Sequence, residues 1–302
     1  MAILLAVKDG ERFLADQLRS FANQTHQNWS LNVSDDGSAD GTVDIVRQFA
    51  DQISNTVTLR PGPQRGFCKN FMSLVREDTI AGDYFAFSDQ DDIWYADKME
   101  RAIRLLRTVP DGCAGLYCSR TELVGSDARH RGYSPRFTKR PSFQNALVQS
   151  IAGGNTMVFN KRARELLKKT GDTDALLHDW LAYQVVAATG GVIFYDSSPS
   201  LKYRQHSDNL VGSNLGLRAR IKRVKMLTQG QWEQWNDFNL RALEALGAEI
   251  TGENRKILEN FSKMRLAKWL PQRLWYFIQS GVYRQTLMGN ISLLVAVAAG
   301  KM

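Results

Sequence analysis

Over its first hundred residues the chain alternates short apolar runs with segments of helical period, a rhythm that few folds accept. Met1-Ala2-Ile3-Leu4-Leu5-Ala6-Val7, Trp29 to Ser34, Thr56 to Arg60 and Tyr84-Phe85-Ala86-Phe87 read as strands. Between them, Glu11 to Gln24 sets Phe13, Leu14, Leu18, Phe21 and Ala22 at helical spacing, with Asp9 available as N-cap. Thr42 to Ala50 and Cys68 to Arg76 read as two further helices. Strand and helix in turn imply an α/β domain with a mainly parallel sheet covered on both faces. Ligands collect at the carboxyl ends of the strands in such sheets, so the residues just after the apolar runs are the functional candidates.

The fourth run ends in Ser88-Asp89-Gln90-Asp91-Asp92-Ile93-Trp94. Like charges this close repel unless a cation sits among them, and hard divalent ions that carry phosphates prefer one or two carboxylates plus phosphate oxygens. The turn is therefore a candidate for a metal that holds a diphosphate. Asp92 has a simpler alternative as the cap of a helix beginning near Tyr95. The second run ends in Asp35-Asp36-Gly37-Ser38-Ala39-Asp40-Gly41-Thr42. A carboxylate here can accept the imide N–H of a uracil or thymine ring, while turn and capping chemistry accounts for Asp40 and Thr42 but poorly for the adjacent pair.

Further along, Tyr95 to Arg107, Lys161 to Lys169 and His178 to Ala188 read as helices. Gly115 to Val124, Thr156 to Phe159, Gly191 to Tyr195 and Ser200 to Arg204 read as strands, and residues 125–141 as a loop. This later order suggests antiparallel additions to a parallel sheet. Asp179 opens the His178 helix, where a carboxylate complements the helix dipole. Tyr203-Arg204-Gln205-His206 supplies a cation and an imidazole after a strand. Arg65 lies in a basic, glycine-containing loop, Gln64 to Asn70, that is equally readable as solvated surface. Gly153-Gly154-Asn155 permits close backbone approach by a ligand, or else a bulge.

Five stretches in this order, Ala6-Val7-Lys8-Asp9-Gly10-Glu11, Ser34-Asp35-Asp36-Gly37-Ser38, Phe87 to Trp94, His178-Asp179-Trp180 and Tyr203 to His206, resemble the inverting family 2 glycosyltransferases of the GT-A fold. Within that family they are most similar to bacterial rhamnosyltransferases of O-antigen and other surface polysaccharides. Residues 280–287 are similar to the tail of such enzymes. The resemblance implies a nucleotide-sugar donor held by Ala6, Lys8, Asp36, Arg65, Asp89, Gln90 and Arg204, with Asp36 on the pyrimidine and Asp89 by the ribose. It implies a divalent cation, Mg2+ or Mn2+, on Asp91 as principal ligand, with Asp89 and His206. It implies Asp179 as the base that takes a proton from the acceptor hydroxyl while that oxygen attacks the anomeric carbon, inverting it in a single displacement. Gly154, Asn155, His178 and Trp180 would line the acceptor. Relatives often carry Thr-Tyr-Asn where this chain has Val7-Lys8-Asp9, so an aromatic contact with the base is replaced at Lys8. The expected donor is dTDP-L-rhamnose, with UDP-glucose, UDP-galactose or UDP-GlcNAc as the alternative. The expected acceptor is a glycan or a polyprenyl-linked oligosaccharide. A non-catalytic nucleotide-sugar or glycan-binding module would need Asp36 and Asp91 but not Asp179. A calcium-binding loop is disfavoured, because the turn lacks the EF-hand ligand spacing and its glycine.

Charge divides the chain. Of 39 Lys and Arg and 31 Asp and Glu in all, residues 201–302 hold 16 and 7, so the net charge of +8 resides in the last third. Basic residues there (Lys222, Arg223, Lys225, Lys263, Arg265, Lys268, Arg273) accompany Trp232, Trp235, Trp269 and Trp275. Either this is a helical appendage with solvated charges, or it makes peripheral contact with an anionic membrane. No nucleic-acid module is recognisable. The expected organisation is a GT-A domain over 1–212, with a donor half to about residue 95 and an acceptor half from 96, and a basic helical extension over 213–302. Cys68, Cys113 and Cys118, odd in number and without CxxC spacing, suggest reduced core thiols and a cytoplasmic enzyme, peripheral at the inner membrane face if its acceptor is lipid-linked. The apolar N-terminus reads as the first strand, not a signal peptide, and Leu287 to Ala299 is short of the ~20 residues that span a bilayer.

Overall fold

The apolar runs pair as the alternation implies. In the computed structural model, which describes residues 1–172, 177–206 and 231–302, β1 (Ala2–Val7) lies between β2 (Ser30–Asp35) and β4 (Tyr84–Ser88), parallel to both. β3 (Val57–Pro61) extends the sheet beyond β2. On the other side, β9 (Val158–Asn160) runs antiparallel between β4 and β6 (Gly115–Ser119), and β10 (Val192–Asp196) lies parallel to β6. Among the described residues the order is β10-β6-β9-β4-β1-β2-β3. This is the expected mixed, mainly parallel sheet.

Helices cover both faces. On one, α1 (Leu14–Ala22), α2 (Thr42–Gln52) and α4 (Lys98–Leu106) pack a core that includes Ile3, Leu5, Leu18, Phe21, Val46 and Met99. On the other, α3 (Phe67–Arg76), the short α5 (Phe143–Ala146), α6 (Lys161–Lys169) and α7 (His178–Ala188) enclose Leu4, Phe71, Phe87, Phe159, Leu181 and Val185. Ala2 to Leu5 of β1 are fully buried and feed both cores in alternation. Each such leucine or isoleucine contributes roughly 1.5–3 kcal/mol of burial.

A second sheet, in the order β5-β11-β7-β8, is built from β5 (Ile93–Trp94), β11 (Leu201–Gln205), β7 (Glu122–Gly125) and β8 (His130–Tyr133). β11 sets Leu201 opposite Trp94 and Lys202 opposite Ile93. This pairing explains the main departure from expectation. Ile93 and Trp94 are drawn into a strand, so α4 begins at Lys98, and Asp97, not Asp92, stands at its N-cap. Nor does Asp9 cap α1: it has a φ of 47° and its carboxylate accepts from the Ala39 N–H at 2.8 Å. The strand expected over 115–124 divides into β6 and β7, and the expected loop over 125–141 contains β8.

The C-terminal helices, α8 (Gln231–Glu244), α9 (Gly252–Leu266), α10 (Leu270–Ser280) and α11 (Leu287–Ala299), contribute Ala242, Leu243, Phe261, Met264, Leu293 and Val297 to the same core as α7. The boundary expected near residue 212, and Lys222, Arg223 and Lys225, lie outside the described residues. Cys68, Cys113 and Cys118 are free thiols.

Candidate active site

β4 ends at Ser88 and the chain crosses from the large sheet to the small one, which sets Asp89 to Asp92 at the seam between them. Asp92 is fully buried: its Oδ2 accepts from Asn155 Nδ2 at 2.6 Å and its Oδ1 from the Arg204 backbone N–H at 3.3 Å. Lys98 closes the floor. It is also fully buried, lies 3.4 Å from the centroid of the Trp94 ring and donates to the Asn155 carbonyl. Burial drives the Lys98 ammonium well below its usual pKa, against the opposing pull of Asp92 and Asp89. Burial, then Asp91 and Asp89, push the Asp92 carboxyl well up.

Above this floor, Asp91 Oδ2 lies 2.7 Å from His206 Nε2. The antiparallel pairing of β11 brings His206 back to the turn, and with it Arg204, whose guanidinium points inward. Its nitrogens reach the Asp91 carbonyl at 3.0 Å, the Ser126 carbonyl at 2.9 Å and Asp16 Oδ2 at 3.0 Å, over the Phe13 ring. Arg204 thus braces the acidic turn from behind. Burial, then Asp91, then Asp179, push Asp89 up to about 7. Among the described residues, no three His, Cys, Asp or Glu side chains are spaced to hold a metal ion by themselves.

The neighbouring strand ends carry the expected donor residues. Gln90 clamps the backbone of Lys8: its Oε1 accepts from the Lys8 N–H at 2.8 Å and its Nε2 donates to the Lys8 carbonyl at 2.9 Å. Gly10 leaves room for this clamp: a Cβ there would lie 2.6 Å from Gln90 Oε1 and would displace the amide. Lys8 Nζ donates to the Asp36 carbonyl at 3.3 Å, and Ala6 sits in register with Ser34. Asp36 is buried and accepts the backbone N–H groups of Gln64 and Gly66 at 2.5 and 3.1 Å, so it organises the loop before α3. Asp35 instead closes its own turn onto Ser38. Arg65 is exposed and pairs with Asp172 at 3.0 Å, as Lys69 does at 2.8 Å. Hydrogen bonds from Lys69 and Arg65 hold the Asp172 carboxyl down at about 2.

The start of α7 differs in character. Asp179 accepts its neighbour's Trp180 N–H at 2.6 Å. Burial raises its carboxyl to about 6, against the backbone N–H groups of Trp180 and Gly154. His178 is buried, stacked on Phe71 at 3.9 Å and edge-on to Phe87 at 4.7 Å, and neither ring nitrogen has a hydrogen-bond partner. Burial holds its pKa down at about 3, so the imidazole is neutral. Gly154 makes room for it, since a Cβ there would lie 2.3 Å from His178 Nε2.

The fold therefore gathers Lys8, Asp36, Asp89, Gln90, Asp91 and His206 at adjoining strand ends, and Asp179 acts electrostatically on Asp89 from α7. Three expected contact residues are placed differently. Asn155 is occupied with Asp92 and Lys98, Trp180 is buried with its indole donating to the Ala146 carbonyl at 2.7 Å, and Arg204 is interior. Their polar atoms hold the walls of the site. Sequence reasoning missed Lys98, Asp16 and Asn70, whose Nδ2 donates to the Ser34 carbonyl at 2.9 Å. For Lys98 a signal existed: a lysine on the apolar stripe of Met99, Ala102 and Leu106, directly after an acidic cluster.

The model of glycosyl transferase family 2 matches residues 2–167, more than half of the chain. The chain belongs to glycosyltransferase family 2. This family 2 enzyme is 30% identical over 237 residues to the dTDP-rhamnosyl transferase RfbG of Shigella flexneri, an alignment covering 76% of this chain and 80% of that protein. Its fold is similar to that of Staphylococcus aureus TarS 1-349 in complex with UDP-GlcNAc, at a TM-score of 0.56 and 14% identity, covering 93% of this chain and 92% of that one. It is also similar to the mannosyltransferase PcManGT of Pyrobaculum calidifontis in complex with GDP-Man and Mn2+, at a TM-score of 0.52 and 17% identity, covering 99% and 86%. The glycosyltransferase thus has the expected GT-A architecture, with a helical C-terminal segment.

Proposed function

We propose that this glycosyltransferase inverts the anomeric centre of rhamnose as it moves it from dTDP-L-rhamnose to a glycan or lipid-linked oligosaccharide. The observation that carries the reading is the acidic turn at the end of β4, where Asp91 Oδ2 meets His206 Nε2 at 2.7 Å and where Asp179 of α7 lies near enough to help raise the Asp89 carboxyl. Similarity to a dTDP-rhamnosyl transferase supports the choice of sugar. A divalent cation fits the residues present. Asp91 and His206 meet at 2.7 Å beside Asp89, an oxygen-and-imidazole set that suits Mn2+ or Mg2+ once diphosphate oxygens complete the shell, so a cage of three side chains is not needed. When bound, such an ion offsets the charge of the departing diphosphate.

The chain's own residues do the rest. Asp36 and the loop it organises receive the pyrimidine; each of its oxygens keeps a second lone pair for the ring. Lys98, Asn155 and Arg204 hold the acidic turn in place before the donor arrives, so no reorganisation is needed during reaction. Asp179, with a carboxyl near 6, is ionised at neutral pH yet a better base than an ordinary aspartate, and takes the acceptor hydroxyl proton. The neutral His178 beside it, its ring nitrogens buried without partners, orients that hydroxyl once acceptor binding opens a path to it. A lipid-linked acceptor places the enzyme at the inner face of the cytoplasmic membrane, with residues 213–302 as the extension that meets it.

Thermal stabilisation and turnover with dTDP-L-rhamnose, UDP-glucose, UDP-galactose and UDP-GlcNAc, each with and without Mn2+, test the reading. A true donor at a hundred times its Kd stabilises by about 2.7 kcal/mol. We expect metal-dependent stabilisation and turnover with dTDP-L-rhamnose. A preference for a UDP-sugar would reassign the donor, and metal-independent binding would remove the cation from the model. Stabilisation by none of the four would sink the reading.

A further inference from the structure

The last 43 residues hold six cations, Lys263, Arg265, Lys268, Arg273, Arg284 and Lys301, and not one aspartate or glutamate. The helices they belong to leave apolar surface uncovered. α11 has no charged residue, and its outward face presents Leu287, Met288, Ile291, Leu294 and Val295, each between 45 and 76% exposed. The polar side chains on it are occupied locally: Ser292 Oγ donates to the Met288 carbonyl at 2.8 Å, and Asn290 is engaged by Arg284 and Thr286. At the α9–α10 junction Leu266 and Trp269 are 81 and 76% exposed, and Trp275 and Ile278 continue along α10 at 60 and 69%. Arg273 ties the two regions together. Its guanidinium donates to the Ala267 carbonyl at 3.0 Å and to the Val297 and Ala298 carbonyls at 3.2 and 3.0 Å, joining the start of α10 to the end of α11. An open cleft of about 460 Å³ beside Trp269 is lined by Lys263, Lys268 and Tyr276.

We infer that α10, α11 and the junction before α10 form a platform that seats on an anionic lipid surface. A water-facing helix ordinarily carries charge on its outer side, and an uncovered apolar face of this extent marks a contact. Charge chooses the occupant: with Arg265 paired to Asp237, the exposed Lys263, Lys268 and Lys301 stand on a stretch that holds no carboxylate of its own and complement acidic headgroups, and exposed tryptophans suit the interface between headgroup and acyl chain. Among the described residues no helix is long and apolar enough to cross a membrane. At ~1.5 Å per residue α11 is about 20 Å long against a hydrocarbon core of ~30 Å, so it lies in the interface. Phosphate headgroups would enter the cleft between Lys263 and Lys268. The inference rests on the proposed lipid-linked acceptor only for its purpose; docking itself does not depend on the donor or the chemistry.

Flotation of the full chain with vesicles of neutral phosphatidylcholine, and with vesicles containing roughly 30 mol % phosphatidylglycerol, tests it. We expect association with the anionic vesicles alone, falling as salt is raised. Trp269→Ser with Ile291→Ser, and separately Lys263→Glu with Lys268→Glu, should each weaken it at least about tenfold, while Arg47→Glu on α2 leaves it unchanged. All four targeted positions are exposed, so these variants should keep the donor-induced thermal stabilisation of the parent. That readout separates failure of the platform from failure of the glycosyltransferase reading. Equal binding to neutral vesicles, binding to neither, or a dimer that the serine variant converts to monomer would each overturn the inference.

Discussion

The acidic turn and the start of α7 both present carboxylates to the same space, but they are held in opposite ways. At the turn, distant side chains do the bracing: Asp92 is held by Asn155 and the Arg204 backbone, Gln90 by both sides of Lys8, and the Asp91 carbonyl by the Arg204 guanidinium. At α7, Asp179 is held only by backbone N–H groups, those of Trp180 and Gly154, and His178 has two buried ring nitrogens with no partner. Buried polar groups are ordinarily satisfied. The braced region suits a donor whose diphosphate must meet a fixed charge pattern. The unbraced one leaves hydrogen-bonding capacity for a second substrate, which fits a base and an orienting group more than a further anchor.

If the two regions divide the labour in this way, they can be broken separately. The largest effect belongs to Asp179→Asn, which keeps the shape and removes the base. We expect kcat to fall by about 10²- to 10⁴-fold with donor-induced stabilisation unchanged; a loss of donor binding in step with turnover would merge the two regions into one. Next comes Lys98→Met, which keeps the volume and removes the cation beneath the turn. It leaves Asp92 and Asp89 without their internal counter-charge and should cost about 3–5 kcal/mol in urea unfolding. A cost under about 1 kcal/mol would show that hydrogen bonds alone carry the floor.

Much of this division can be read before folding, though not evenly. The strands β1 to β4 and the helices α6 and α7 follow from periodicity, because each buries one local stripe or run whose partners are the sheet itself. Asp36 and Asp91 stand out because adjacent carboxylates at strand ends have few structural reasons to cluster, whereas Asp179, at a helix start where the dipole accounts for it, is singled out only by the family resemblance. What escapes is whatever depends on distant pairing. Asp92 reads locally as a cap, yet its partners are Asn155 and Arg204, 63 and 112 residues away. Arg204 reads as a ligand-facing cation, and only the register of β11 on β5 turns it inward. Lys98 is the hardest case, since a lysine is seldom fully buried, and its place becomes intelligible only with Trp94, Asp92 and the Asn155 carbonyl already around it.

The smallest effect is the most discriminating, because activity and stability should move in opposite directions with pH. Burial raises Asp179 to about 6 from its ordinary 3.8, so between those values the folded protein holds a proton that the unfolded chain has released. The group's contribution to stability therefore falls as pH rises through that window. Activity needs the ionised form, so kcat at saturating donor and metal, where the bound cation keeps Asp89 ionised, should climb about tenfold per pH unit up to pH 6 and then level. His178 is neutral throughout, with its pKa near 3, and cannot produce this limb. If His178 orients the acceptor as proposed, His178→Asn should lower the plateau while the limb stays in place. In Asp179→Asn, the part of the stability decline between pH 4 and 6 that comes from this group should vanish. A limb that moved with His178, or a pH–stability profile unaltered by Asp179→Asn, would mean that α7 supplies structure at this site and that the base lies elsewhere.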